Sequence, residues 1–196
     1  YHTWQGTYSA AFLFSLQPAV LSQHWYALTP ILLIAALIAG IGVFSYSVCK
    51  WALKQDRRVW LIGWMVASLL CVQFPRDASE GFFWYNAGMY YTFFFGLLLV
   101  WLGIAIKLYA CNMRRGQQLR YLLALVLIDA FIAGGNYVTA LLLGICVVSL
   151  MIWSIMHRKD LIAASLLLGI VYAAAFYVNA AAPGNDVRQA LLTQLT

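Results

Sequence analysis

The chain has 196 residues, 64% of them hydrophobic and only 9% charged, with a formal net charge of +6. A soluble globular domain carries roughly 25% charged residues, so this composition excludes a water-soluble fold and makes lipid the solvent for much of the surface. The twelve Lys and Arg residues fall in short clusters between apolar runs, which excludes the continuous basic face of a nucleic-acid-binding protein.

The first element is a short aromatic and polar patch, Tyr1, Trp4, Gln5 and Gly6, of the kind that sits at a membrane–water boundary. Residues 9–21 are apolar but fall short of the roughly 20 needed to span. With Gln17 and Pro18 near their end they read as an interfacial or re-entrant helix, or as a seventh crossing that would move the N-terminus to the other side. Six longer runs follow, at 28–48, 59–74, 88–108, 119–133, 137–156 and 161–181. Backbone polar groups left unpaired in hydrocarbon are costly, so these runs predict helices. The absence of period-two alternation argues against a β-barrel.

Between the runs lie three basic loops. Lys50, Lys54, Arg57 and Arg58 form the first; Lys107, Arg114, Arg115 and Arg120 the second; Arg158 and Lys159 the third. Six crossings place these ten residues on one side, which the positive-inside rule makes cytoplasmic, and leave only Arg76 and Arg188 on the other. No linker, repeat or low-complexity stretch divides the chain, and it reads as a single transmembrane domain, residues 1–196.

The polar residues that could carry chemistry then collect on the non-cytoplasmic side. The loop from Pro75 holds Asp77 and Glu80, followed by Phe82, Phe83, Trp84, Tyr85, Tyr90 and Tyr91. A carboxylate beside flat aromatic surfaces can hold a sugar and take a proton from an acceptor hydroxyl; the same residues also suit an ordinary interfacial aromatic belt. Gly134, Gly135 and Asn136 form a turn between two runs, where glycine's access to positive φ eases a helical hairpin or lets a ligand approach the backbone. Asp129, one helical turn earlier, is an ionisable residue inside a span, placed either for function or to brace that turn. At the C-terminal end, Pro183, Gly184 and Asn185 predict a sharp turn. Arg188 offers a planar cation there, either for a phosphate or merely solvated.

Cys49, Cys71, Cys111 and Cys146 have no metal-ligand spacing and read as small buried hydrophobes. His2, His24 and His157 are scattered. No P-loop, dinucleotide fingerprint, zinc motif or nucleophile elbow occurs.

Taken in order, Tyr1-x-x-Trp4-x-Gly6, Glu80 with its Trp/Tyr-rich loop, Gly134-Gly135, and Pro183-Gly-Asn-x-x-Arg188 resemble the motif set of a family of bacterial multi-pass membrane proteins of unknown function. That family is similar to GT-C superfamily glycosyltransferases, including glucosyltransferases acting on surface polysaccharide. The resemblance implies a GT-C-like helical bundle in the bacterial inner membrane. It implies transfer of a sugar from a polyprenyl-phosphate donor to a cell-envelope glycan or lipid on the non-cytoplasmic face. It assigns Glu80 and Asp77 to catalysis and Trp4, Trp84, Tyr85, Tyr90, Gly135, Asn136, Asn185 and Arg188 to substrate binding. Such enzymes carry a base or divalent-metal-linked acid in the first outer loop, which here implies an acid upstream of Tyr1 in a longer chain. Tyr137 departs from the family pattern, where a more polar residue follows Gly-Gly-Asn. Two other classes fit the same topology: a transporter or flippase of lipid-linked sugars, which would place polar groups near the midplane, and a noncatalytic membrane partner.

Overall fold

The computed structural model describes residues 6–20, 22–186 and 190, and these are mostly helical with no strand among them. The helices are α1 (Tyr8–Ser15), α2 (Leu28–Ser47), α3 (Arg57–Gln73), α4 (Tyr85–Gly88), α5 (Phe94–Ala110), α6 (Arg115–Ala133), α7 (Tyr137–His157) and α8 (Ile162–Ala180). A π-helical turn at Met89–Phe93 joins α4 and α5 into one rod, Tyr85–Ala110. Among the described residues, five helices are long and apolar enough to cross a membrane: Gln23–Ala52, Tyr85–Ala110, Arg115–Ala133, Tyr137–His157 and Lys159–Ala180. The expected all-helical membrane architecture is therefore present. The run at 59–74 becomes α3, whose 17 residues reach about 26 Å, slightly less than a hydrocarbon core of about 30 Å. Helix α1, at eight residues, is about 12 Å long and too short to cross.

The helices group into two compact units. The central unit is Leu16–Ile128; the terminal unit combines Tyr1–Ser15 with Asp129–Thr196. No change of composition marks either boundary, and one of them falls inside α6.

In the central unit, α2 and α5 pack in parallel with their backbones nearly touching. A Cβ placed on Gly40 would lie 2.4 Å from the Gly96 carbonyl oxygen, and one on Gly103 would lie 2.9 Å from that of Val43. Association in lipid gains no hydrophobic drive, so small residues that permit close van der Waals contact decide where helices meet. Leu33, Leu37 and Ile41 of α2 and Leu98, Trp101 and Ala105 of α5 are buried. Helix α3 buries no residue and is held to α2 by indole hydrogen bonds. Trp64 Nε1 donates to the Ile38 carbonyl at 2.9 Å and Trp60 Nε1 to that of Gly42 at 3.2 Å. The two indoles, four residues apart on one helical face, stack with centroids 5.6 Å apart.

These contacts set directions. Helices α2 and α5 run one way and α3 the other, while Lys107 at the end of α5 hydrogen-bonds Tyr121 near the start of α6. Lys50, Lys54, Arg57, Arg58, Lys107, Arg114, Arg115 and Arg120 therefore share one end of the unit, and Arg76, Asp77 and Glu80 lie at the opposite end.

The terminal unit is built on the antiparallel pair α7 and α8. Their near end is closed by Arg158, which grips Asp160 through Nε and a terminal nitrogen at 3.0 and 2.9 Å. A hydroxyl pair, Ser154 and Ser165 at 2.6 Å, lies next to it. At the far end, α1 docks on the end of α6: the Tyr8 hydroxyl donates to the Ala130 carbonyl at 2.7 Å and the Ser9 N–H to that of Gly134 at 3.1 Å.

Candidate functional site

At the end of the central unit remote from the basic loops is a cavity of about 500 Å³ lined by Arg76, Asp77, Glu80, Gly81 and Tyr91. Local chemistry builds its wall. Asp77 accepts hydrogen bonds from the Ser79 N–H at 2.8 Å, the Ser79 hydroxyl at 2.7 Å and the Glu80 N–H at 3.2 Å. This Asx-type turn starts the segment Ser79–Phe83. The Ser79 hydroxyl above all, with the two backbone N–H groups, holds the exposed Asp77 carboxyl below the usual carboxylate range. Glu80 joins the turn through its backbone and is exposed on the cavity wall.

The loop is pinned to the helices behind it. The Thr92 hydroxyl donates to the Gly81 carbonyl at 2.7 Å. The Tyr26 hydroxyl donates to the Phe83 carbonyl at 2.8 Å and accepts the Tyr85 N–H at 3.1 Å. Gly81 also borders a smaller cavity of about 200 Å³ whose wall includes Leu37, Pro75, Phe82 and Phe95. A polar pocket thus abuts an apolar one, a shape suited to an amphiphile.

The sequence-expected residues divide between the units. Asp77, Glu80, Trp84, Tyr85 and Tyr90 are in the central unit. Asp77 and Glu80 line the cavity, whereas Trp84 is 55% exposed but forms no part of the wall. Tyr85, at the start of α4, is 1% exposed and so presents no stacking surface. Tyr90 packs edge-to-face on Tyr91, with centroids 5.4 Å apart, and it is Tyr91 that reaches the cavity.

Gly135, Asn136 and Asn185 lie in the terminal unit and are absorbed by its own backbone. Asn136, buried, caps α7 by accepting the Thr139 N–H at 2.8 Å. Asn185 accepts the Gly6 N–H at 3.2 Å and donates to the carbonyls of Asn179 and Ala180, each at 2.9 Å. The turn at Gly134 departs from expectation: no glycine among the described residues has positive φ. Gly134 is there for space, since a Cβ would meet the Tyr8 ring at 2.0 Å and the Ser9 hydroxyl at 2.5 Å. Nor is Asp129 the brace of that turn. Asn179 fills the role, donating from Nδ2 to the carbonyls of Ala133 at 2.9 Å and Gly135 at 3.4 Å. Trp4 and Arg188 lie outside the described residues.

Two participants escape sequence reading. Arg76 stands in the cavity wall beside both carboxylates; its signal was its position outside the basic loops. Tyr26 gives no signal, because its role is a contact across 57 residues. No group of three or more His, Cys, Asp or Glu among the described residues is arranged to hold a metal ion. Compared with protein-family models, curated proteins and solved structures, the chain finds no match.

Proposed function

We propose that the protein is a GT-C-like membrane glycosyltransferase that moves a sugar from a polyprenyl-phosphate donor to a cell-envelope glycan or lipid acceptor. The observation that carries this reading is the cavity itself: a carboxylate, Glu80, and a guanidinium, Arg76, in one wall, beside an apolar pocket. In this reading α3 is a sixth crossing, since it runs antiparallel to α2 between the two ends of the unit. The eight basic residues at one end favour the cytoplasmic side for it, so that in a bacterial inner membrane the cavity would open on the other side.

The chemistry follows from the wall. The acceptor hydroxyl oxygen attacks the anomeric carbon while the bond from that carbon to the lipid phosphate oxygen breaks, its electron pair leaving with the phosphate. Glu80 takes the proton of the attacking hydroxyl. Arg76 neutralises the charge that grows on the leaving phosphate, the role expected of Arg188. Tyr91 supplies the aromatic surface for the sugar, and Asp77 orders the loop.

The test is transfer of labelled sugar from a polyprenyl-phosphate donor by the full-length protein in vesicles. Product formation that requires Glu80 supports the reading. Movement of the lipid-linked sugar across the bilayer with no new glycosidic bond would favour the transporter class instead. One observation speaks for that class: Asp129, wholly buried in a spanning helix, is the kind of group that transporters place within the bilayer.

A further inference from the structure

Asp129 is 0% exposed, and neither of its carboxylate oxygens has a hydrogen-bond partner. It lies in the last turns of α6, four residues before the helix ends at Ala133. The partial negative charge of a helix C-terminus opposes an acid there. The first residue of the terminal unit thus carries a charge that burial, geometry and dipole all penalise.

Among the described residues, no basic side chain of α6 or of the terminal unit lies near it. On α6 itself the nearest is Arg120, nine residues back, which donates to the Gly116 carbonyl at the other end of the helix. In the terminal unit the described basic groups are His157, Arg158 and Lys159, where α7 meets α8. The groups within electrostatic reach of Asp129 are phenols: Tyr8 on α1 and Tyr172 on α8. From Tyr172 to Lys159 is 13 residues, about 20 Å along α8. Of these, Tyr8 lies outside the spans; burial first, and then the Asp129 charge, push its hydroxyl above the usual value.

Two further buried oxygens of this unit are also without partners: the Ser9 hydroxyl and Asn179 Oδ1. Both belong to residues fastened to the end of α6. Ser9 N–H is bonded to the Gly134 carbonyl, and Asn179 Nδ2 is bonded to those of Ala133 and Gly135. Asn179 thus turns its donor to the turn and keeps its acceptor free. Buried polar atoms in native proteins are nearly always satisfied, and carboxylate and amide oxygens left without a protein donor can be satisfied by a bound cation.

The geometry points to a binding site for one small monovalent cation, Na+ or a proton, at the C-terminal end of α6, with Asp129 as the charged ligand and the Ser9 hydroxyl and Asn179 Oδ1 as neutral ones. With Na+, all three supply oxygens to the ion. With a proton, the Asp129 carboxyl becomes neutral and its burial is no longer penalised. The site stands whether or not Glu80 transfers a sugar.

The experiment is thermal unfolding of the full-length protein in phosphatidylcholine nanodiscs, in NaCl or choline chloride at equal ionic strength and over a range of pH, with wild type and Asp129→Asn side by side. For Na+, the wild type melts higher by roughly 3–6 °C at ten times Kd, and Asp129→Asn shows no such rise. For a proton, Na+ and choline are equivalent, and a comparable rise appears on acidification in the wild type alone. Melting curves that respond to Na+ and to pH identically in the two proteins overturn the site. If Asp129→Asn does not fold, Ser9→Ala decides: its hydroxyl has no protein partner to lose, so the fold tolerates its removal. A weakened cation midpoint supports the ligand set, and an unchanged one overturns it.

Discussion

The central and terminal units solve the same problem in opposite ways. The central unit joins α2 to α5 through glycines and apolar side chains and sends its charges to the two ends, where Arg76, Asp77 and Glu80 border a cavity. The terminal unit brings polar groups inside: Asn136, Asn179, Ser154, Ser165 and Asp129 are all buried. Asparagines that look alike in the sequence as candidate ligands are used there to satisfy helix ends. A polar residue in a membrane protein is thus a binding candidate only when the backbone around it does not already consume its hydrogen bonds, a condition that Glu80 meets and Asn136 and Asn185 do not.

The contrast breaks most sharply at Glu80. Glu80→Gln keeps the size and removes the base, so transfer should fall by about 10²–10⁴-fold in an assay with a polyprenyl-phosphate sugar, with the melting temperature unchanged. Next in size is Gly134→Val. A side chain there meets the Tyr8 ring, and the overpacking should cost about 3 kcal/mol, read as rapid amide exchange across α1 while the central unit stays protected. Asn179→Ala leaves the Ala133 and Gly135 carbonyls without their donor; a loss of about 2–3 kcal/mol should appear in denaturant titration.

The smallest effect is local and acidic. The Asp77 carboxyl sits below its ordinary value in the folded loop. Its contribution is therefore present above the unfolded-state value of about 3.9 and is lost as pH falls through the lower, folded one. Trp84 fluorescence should change over that acidic range in the wild type and be insensitive to it in Asp77→Asn.

Much of the fold was legible because a spanning helix is written in contiguous residues. The runs at 137–156 and 161–181 lie within one or two residues of α7 and α8, since apolar length alone decides them. Edges made of aromatic or basic residues were not legible. Hydropathy begins the fourth run at 119 although α6 starts at Arg115, because Arg115, Gly116, Gln117 and Gln118 occupy its first turn. The turn at Gly134–Gly135 was legible as a turn, but not its reason, which is a ring arriving from 126 residues away. For the site, Asp77 and Glu80 were marked by the scarcity of acids in the chain. Arg76, Tyr91 and Tyr26 acquire their roles only through the fold of the loop on α2 and α5. Asn179 lies unmarked in an apolar run, where nothing local distinguishes a brace from a solvated amide.

The most direct measurement sets Glu80→Gln beside Asn179→Ala in one experiment, recording the initial rate of sugar transfer and the melting temperature for each full-length protein. The account predicts that Glu80→Gln loses transfer and keeps its melting temperature, while Asn179→Ala loses melting temperature and, at temperatures where it is folded, keeps transfer. Wild-type transfer rates in folded Glu80→Gln would contradict it.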